Sequence, residues 1–283
     1  MFYAQNNFLE FARTLASGAG ELIRERLYAH KDLKIKTKSS PTDLVTEIDR
    51  EVEEWIAERI KETYPEHGML GEEGTEREGS SAGGSIYRWI VDPIDGTTNF
   101  IHQRINFCIS IALYHGDEGV VGVVYDPIRN EMFWASRGEG AFLNGEKLDI
   151  REKKELMESL VGTNLIWLRR TRKLGLLDHV YTIARRSRGI RALGAAALEM
   201  AYVAAGRIDA FLSLKLSPWD FAAAKLLVEE AGGVVRSFTG DAVPIAPPEH
   251  GLIAARTSLL PELMDILNEE RTSDVAANDK ETH

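Results

Sequence analysis

Apolar residues recur at helical spacing near the start of the chain. Phe8, Phe11, Leu15, Ala19, Leu22, Ile23 and Leu27 mark one face of a helix over 7–29. The alternating stretch Leu33-Lys34-Ile35-Lys36 predicts an edge strand within 31–38. A second helix is predicted from an N-cap at Thr46 to about Tyr64, with Ile48, Val52, Trp55, Ile56 and Ile60 inward. Met69-Leu70 reads as a short strand closed by Gly71-Glu72-Glu73-Gly74, and 75–85, rich in polar residues, glycine and serine, as a mobile surface loop. Trp89-Ile90-Val91 is apolar at every position and predicts a buried strand. It is expected to stop at Asp92-Pro93, because proline has no amide hydrogen for the ladder.

From 106 to 150 the pattern changes to an antiparallel meander: 107–114, 120–125, 131–135, then 141–143 and 147–150 around the hairpin signal Asn144-Gly145. Gly138-Glu139-Gly140 precedes no helical pattern and reads as turn glycines. Beyond it, strand and helix alternate. Helices are expected over 153–159, 171–186, 195–205, 218–230 and 260–269, and strands over 160–163, 209–214, 234–235 and 251–255. The start of the 195–205 helix is a second candidate anion site. A soft boundary near Asp149 divides the chain into 1–149, with most of the candidate chemistry, and 150–270; residues 271–283 lack apolar periodicity and are expected to be disordered.

Composition narrows the classes. A net charge of −10 disfavours a nucleic-acid partner, since binding the phosphate backbone requires a basic surface. A phosphorylated small molecule stays open, because bound metals reverse the local sign. Cys108 is the single cysteine and sits in an apolar strand, so it reads as a buried, inert thiol. The start has neither a basic segment nor a long apolar run, and nothing approaches a membrane span; a cytoplasmic location, with no membrane partner, is the expectation.

The phrase Asp92-Pro93-Ile94-Asp95-Gly96-Thr97-Thr98-Asn99 places two carboxylates at a strand end, beside a predicted helix start. Carboxylates hold hard cations and free helix-start amides hold phosphate, so the phrase suggests metal-assisted phosphate chemistry. A solvated turn is the ordinary reading of such spacing. Asp49 and Asp220 likewise read as first-turn helix acids, and Glu72 as an exposed turn acid. Spacing alone does not bring these five acids into one pocket.

The phrases Asp43-Leu44-Val45-Thr46-Glu47-Ile48-Asp49, Gly71-Glu72-Glu73, Trp89 to Phe100, Gly194-Ala195-Ala196 and Trp219-Asp220 through Gly232-Gly233 resemble, in order and spacing, the motifs of the inositol monophosphatase family. That family comprises magnesium-dependent, lithium-sensitive phosphatases. The resemblance covers residues 10–268 and implies an α/β, five-layer α/β/α/β/α sugar-phosphatase fold. It also implies two to three Mg2+ ions. Asp92 bridges two of them; Glu72 and the carbonyl of Ile94 complete the first, Glu72 reaches a third, and Asp95 and Asp220 complete the second. These ligands are all oxygen, as magnesium prefers, and the seven histidines form no ligand pair for zinc. Asp49, Thr97 and Glu72 are the implied catalytic residues, with Asp49 and Thr97 orienting and activating water. The amides of Gly96 and Thr97 are expected to hold phosphate. Gly194 and Ala196 match positions near the substrate hydroxyls, and Lys38 a lysine near the metal loop. Members are commonly homodimers, and the meander is the expected interface.

Substrate choice departs from the pattern. Close inositol phosphatases carry a glutamate at the position of Ser213. Lys215 and Arg191 would favour a second phosphate, or are solvated surface charges. The ranking is inositol-1-phosphate, then fructose-1,6-bisphosphate, then a nucleotide or dinucleotide phosphate. A regulatory binding protein that retains the fold, and a structural calcium binder, are the alternatives outside catalysis; scattered acids disfavour the latter.

Overall fold

The computed structural model describes residues 2–29, 35–37, 44–80, 87–164, 171, 173, 176–246 and 250–268. In chain order the elements are α1 (Phe2–Tyr28), β1 (Ile35–Thr37), β2 (Leu44–Thr46), α2 (Glu47–Thr63), β3 (Gly68–Gly71), β4 (Glu76–Arg77), β5 (Tyr87–Asp95), α3 (Thr97–His102), β6 (Cys108–His115), β7 (Glu118–Asp126), β8 (Glu131–Ser136), β9 (Gly140–Leu143) and β10 (Glu146–Leu148). There follow β11 (Leu160–Thr163), α4 (Leu177–Arg186), β12 (Gly189–Arg191), α5 (Ala196–Ala204), β13 (Ala210–Leu216), α6 (Pro218–Glu230), β14 (Val234–Arg236), β15 (His250–Ala255) and α7 (Leu260–Asn268).

The strands form an eight-stranded sheet, ordered β10-β9-β8-β7-β6-β5-β3-β4, and a five-stranded sheet, ordered β12-β11-β13-β15-β14. In the first only β3 and β5 run parallel; in the second β11 runs parallel to β12 and β13. Three apolar cores separate the layers. Helices α1 and α2 bury Leu15, Ile23, Val52 and Ile56 against Trp89, Ile111 and Val123 on one face of the large sheet. Helices α5 and α6 fill the space between the sheets with small side chains, Ala197, Ala201, Ala222 and Ala223 among them. Helices α4 and α7 cover the outer face of the small sheet through Ile183, Leu263 and Ile266. The order is α/β/α/β/α, the five-layer fold expected from the resemblance.

The meander follows the predicted pattern. Asn144 (φ 49°) and Gly145 (φ 91°) take the left-handed conformations that a two-residue hairpin requires, with Leu143 paired to Glu146. Gly138 and Gly140 are turn residues, and their amides donate to the Glu230 carboxylate at 3.0 and 3.1 Å. Three expectations are corrected. The 153–159 segment holds a single 3-10 turn, Leu156–Glu158, rather than a helix. The amide of Lys154 donates to Ser258 Oγ and so is not free for a helical ladder, and its Nζ donates to Asp209 just before β13. The strand from Trp89 does not end at Asp92; β5 runs to Asp95 with a register shift between Asp92, paired to Ser110, and Asp95, paired to Cys108. Pro93 falls inside this bulge, where its missing amide interrupts no regular pair. The edge strand expected near 31–38 is β1, paired antiparallel with β2 apart from the large sheet. Part of the 75–85 loop is strand β4, paired with β3. Lys38 and the 271–283 tail lie outside the described residues, as do 81–86.

Helix α6 lies close to the large sheet: a Cβ added to Gly122 of β7 would stand 2.6 Å from the carbonyl oxygen of Ala223. Gly122→Ala is therefore expected to destabilise the fold by about 1–3 kcal/mol, as overpacked cores do, and to lower the urea midpoint without changing the slope. An unchanged midpoint would contradict this packing.

Candidate active site

Two helices of the site begin on the same local device. Thr46 caps α2 from an extended conformation; its hydroxyl accepts from the Ile48 and Asp49 amides at 3.2 and 3.4 Å. In return Asp49 Oδ2 accepts from the Thr46 amide at 2.9 Å and from the Thr46 hydroxyl. At α6, Asp220 Oδ2 accepts from the Ser217 amide at 2.7 Å, and Pro218 occupies the first turn. The ordinary role of a first-turn acid is thus realised in both. Asp49 is fully buried, however, and its other oxygen lies 3.2 Å from Thr97 Oγ1, which is also 3.2 Å from the Ile94 carbonyl. Burial pushes the Asp49 carboxyl up, and the Thr46 hydrogen bonds oppose the shift.

The bulge of β5 presents Asp92 and Asp95. Asp92 is 1% exposed and its Oδ1 accepts from the Ile94 amide at 3.0 Å. Its carboxyl is pushed well above the usual range, first by burial, then by the charges of Glu72, Asp95 and Asp220 and a hydrogen bond shared with Glu72. Asp95 crosses to the second half of the chain: Oδ1 accepts from the Ala196 amide at 3.1 Å and Oδ2 from the Ala197 amide at 2.7 Å. The anion at the start of this small-residue helix is therefore the protein's own Asp95. Burial raises that carboxyl to about 6, with the helix amides pulling the other way. Cys108 Sγ lies 3.6 Å from Asp95 Oδ2; it is buried and its thiol is pushed well up by burial, as expected of an inert cysteine.

Gly96 (φ 94°) turns the chain from β5 into α3; a Cβ there would stand 3.0 Å from Ala195 Cβ and 3.4 Å from the Gly194 carbonyl. The Gly96-Thr97 turn thus sits directly on the Gly194–Ala196 turn. Ser110, the register partner of Asp92, donates to the carbonyl of Trp219, next to Asp220, at 3.2 Å. Contacts and charge interactions hence link Asp49, Glu72, Asp92, Ile94, Asp95, Gly96, Thr97, Gly194, Ala196 and Asp220. Among the described residues no three histidine, cysteine or carboxylate side chains form a ready-made metal cage. Asp49, Asp92, Asp95 and Asp220 are turned instead to amides. Of the substrate candidates, Ser213 is buried on β13 with its hydroxyl 3.5 Å from the Lys215 carbonyl. Lys215 is half-buried, and Arg191 is exposed at the edge of the small sheet.

Three residues of this region were not singled out from the sequence. Asn99 donates to the carbonyls of Asn106 at 2.8 Å and Leu193 at 2.6 Å, tying α3 to the Gly194 turn. Glu199, 1% exposed, accepts from the Gly194 amide at 3.3 Å; burial raises it to about 7. Glu53, also 1% exposed, accepts from the amides of Glu73 at 2.8 Å and Thr75 at 2.9 Å. The available signal was spacing: Glu53 lies one helical turn after Asp49, between the inward Val52 and Ile56.

The sequence profile described as the inositol monophosphatase family matches residues 4–273. The inositol-1-monophosphatase of Bacillus subtilis is 40% identical over 250 residues, 88% of this chain and 92% of that protein. The Nus factor SuhB of Pseudomonas aeruginosa is 44% identical over 236 residues, 82% and 86% of the two. The fructose-1,6-bisphosphatase/inositol-1-monophosphatase of Thermotoga maritima is 38% identical over 232 residues, 82% and 85%. Among solved structures, inositol monophosphate bound SaIMPase-II superposes with a TM-score of 0.78 at 32% identity, covering 92% of both chains. An IMPase/NADP phosphatase complexed with Mg2+ and phosphate does so at 0.81 and 25% identity, covering 94% of this chain and 97% of that one.

The carboxylates give stability a defined pH dependence without metal. Asp92, Asp95 and Glu199 have folded-state pKa values above their unfolded values of about 4, so the folded state binds more protons. Stability is full below that range and falls as pH rises, by up to about 1.4 kcal/mol per pH unit for each group titrating. His67, lowered to about 4 by burial, acts oppositely, but only below about 6.5. The melting temperature in chelator is expected to fall between pH 5 and 8, and Asp92→Asn to flatten the descent. A flat profile for the unsubstituted protein would contradict the cluster.

Proposed function

The chain belongs to the inositol monophosphatase family and is a phosphatase; from that premise we propose that it is a magnesium-dependent phosphomonoesterase acting on inositol-1-phosphate or a closely related sugar phosphate. The observation that carries the reading is the buried carboxylate cluster around Asp92, next to the hydrogen-bonded pair Thr97–Asp49. Its donor set is all oxygen, and its members raise one another's proton affinity; both features suit a hard divalent cation. Glu72, Asp92, Asp95, Asp220 and the Ile94 carbonyl would hold it. Bound magnesium supplies Lewis acidity, which lowers the pKa of water and shields phosphate charge.

The remaining work falls to the chain's own groups. Thr97 Oγ1 takes its place between Asp49 Oδ1 and the Ile94 carbonyl, so it can orient a nucleophilic water and hand its proton to Asp49. Desolvation of Asp49 makes it a stronger base than an exposed aspartate. The Gly96 turn leaves the amides of Gly96 and Thr97 for the phosphate oxygens, and the Gly194–Ala196 turn against it faces the alcohol portion of the ester.

Ser213 is short and uncharged where close inositol phosphatases have a glutamate, which weakens recognition of a hydroxyl-rich ring. Together with the bifunctional name of the Thermotoga relative, this favours fructose-1,6-bisphosphate as the second substrate. A nucleotide or dinucleotide phosphate ranks third. The Pseudomonas relative is named a Nus factor, which keeps a regulatory role beside catalysis as the alternative. A cytoplasmic homodimer is the proposed working form; no described helix is long and apolar enough to cross a membrane.

Phosphate release from inositol-1-phosphate and fructose-1,6-bisphosphate, each with magnesium and with chelator, tests the assignment. Release is expected to need magnesium and to drop at least 100-fold in Asp92→Asn and in Thr97→Ala, with kcat rather than KM affected. Full turnover by Asp92→Asn, or turnover undiminished by chelator, would refute it.

A further inference from the structure

We propose that Glu53 is the positioning residue for Glu72: by fixing the 71–75 turn it sets the affinity of the carboxylate cluster for its cation. Glu53 has this role only if the cluster holds a cation, as the proposed function requires.

The turn that carries Glu72 is held from both sides. The Glu72 amide donates to the Val91 carbonyl at 3.2 Å, which ties it to β5 one residue before Asp92. On the other side the Glu73 amide donates to Glu53 Oε2 and the Thr75 amide to Glu53 Oε1, at 2.8 and 2.9 Å. A Cβ at Gly71 would lie 2.5 Å from Glu53 Cδ and Oε2, so the carboxylate is wedged against the residue preceding Glu72. The Cα of Glu72 is therefore fixed by contacts at residues 71, 72, 73 and 75. The same helix supplies Asp49 one turn earlier, so the Thr97 contact and the Glu72 turn are registered by one rigid element, α2.

The chemistry of the group points the same way. The two amides reach two different oxygens, which a carboxylate supplies and a neutral glutamine, with one oxygen and a donor NH2, does not. That carboxylate is buried, with the charge of Glu72 near it. Adding negative charge beside an acidic cluster is unfavourable in the absence of a cation and favourable in its presence. Partners that orient metal ligands act in this way, and losing one lowers metal affinity about 10–100-fold.

The test compares Glu53→Gln with the unsubstituted full chain. Magnesium binding to chelator-stripped protein is measured by isothermal titration calorimetry, and exchange of the Glu73 and Thr75 amides by hydrogen–deuterium exchange. Magnesium affinity is expected to fall about 10-fold or more, with faster exchange at both amides. Turnover is expected to return at saturating magnesium, a rescue that a merely structural role would not give. Unchanged affinity alongside faster exchange overturns the proposal. Absence of magnesium binding by the unsubstituted protein overturns the metal-dependent reading itself, an outcome separate from any behaviour of the variant. Gly71→Ala, whose methyl group would displace the same carboxylate, is measured in parallel. It decides between the same two outcomes should Glu53→Gln not fold.

Discussion

Mutual repulsion among buried carboxylates is the constraint on which the architecture depends. Two unit charges 4 Å apart at an effective dielectric constant of 20 repel by roughly 4 kcal/mol, a large part of a domain's net stability. Asp92 has the charges of Glu72, Asp95 and Asp220 against it. The fold meets this cost with oriented backbone amides. Asp95 takes two from the start of α5, Asp49 and Asp220 each take the amide of their own cap residue, and Asp92 takes that of Ile94. What the amides leave uncompensated is available to protons or to a cation.

Layering makes the arrangement possible. The acids come from strand ends and helix starts on both sheets, and they meet because the layer between the sheets is thin. Helices α5 and α6 pack there through several alanines, and Gly122 lets α6 approach β7 to backbone contact. Larger residues in this layer would separate Asp95 from the amides of Ala196 and Ala197. The core composition of the middle layer is thus a condition of the chemistry as well as of stability.

Much of this was legible in the chain. Helical periodicity located α1 and α2, the Asn144-Gly145 pair located a hairpin, and the cap at Thr46 follows from residue type. The Asp92 phrase drew attention because proline, glycine and hydroxyls flank its acids. Local pattern failed where partners are distant. Proline predicts a strand end, but the bulge that accommodates Pro93 depends on β6. The 153–159 segment looks helical until Asp209 and Ser258 claim its polar groups. Asn99 resembles an ordinary polar residue because its Leu193 partner is 94 positions away, and Glu53, whose amide partners lie 20 and 22 positions on, was marked only by its helical spacing from Asp49. The substrate side is faint because a residue that meets a bound molecule need carry no local sequence pattern.

The bond between Asp95 and the start of α5 joins residues about a hundred positions apart. At roughly 5–20 residues per second, a ribosome exposes the Asp92–Asp95 bulge several seconds before it delivers Ala196 and Asp220. During that interval the large sheet has its strands but lacks the amides that quiet its acids. A cation held at this site, as the proposed function requires, would quiet the same acids in the nascent chain.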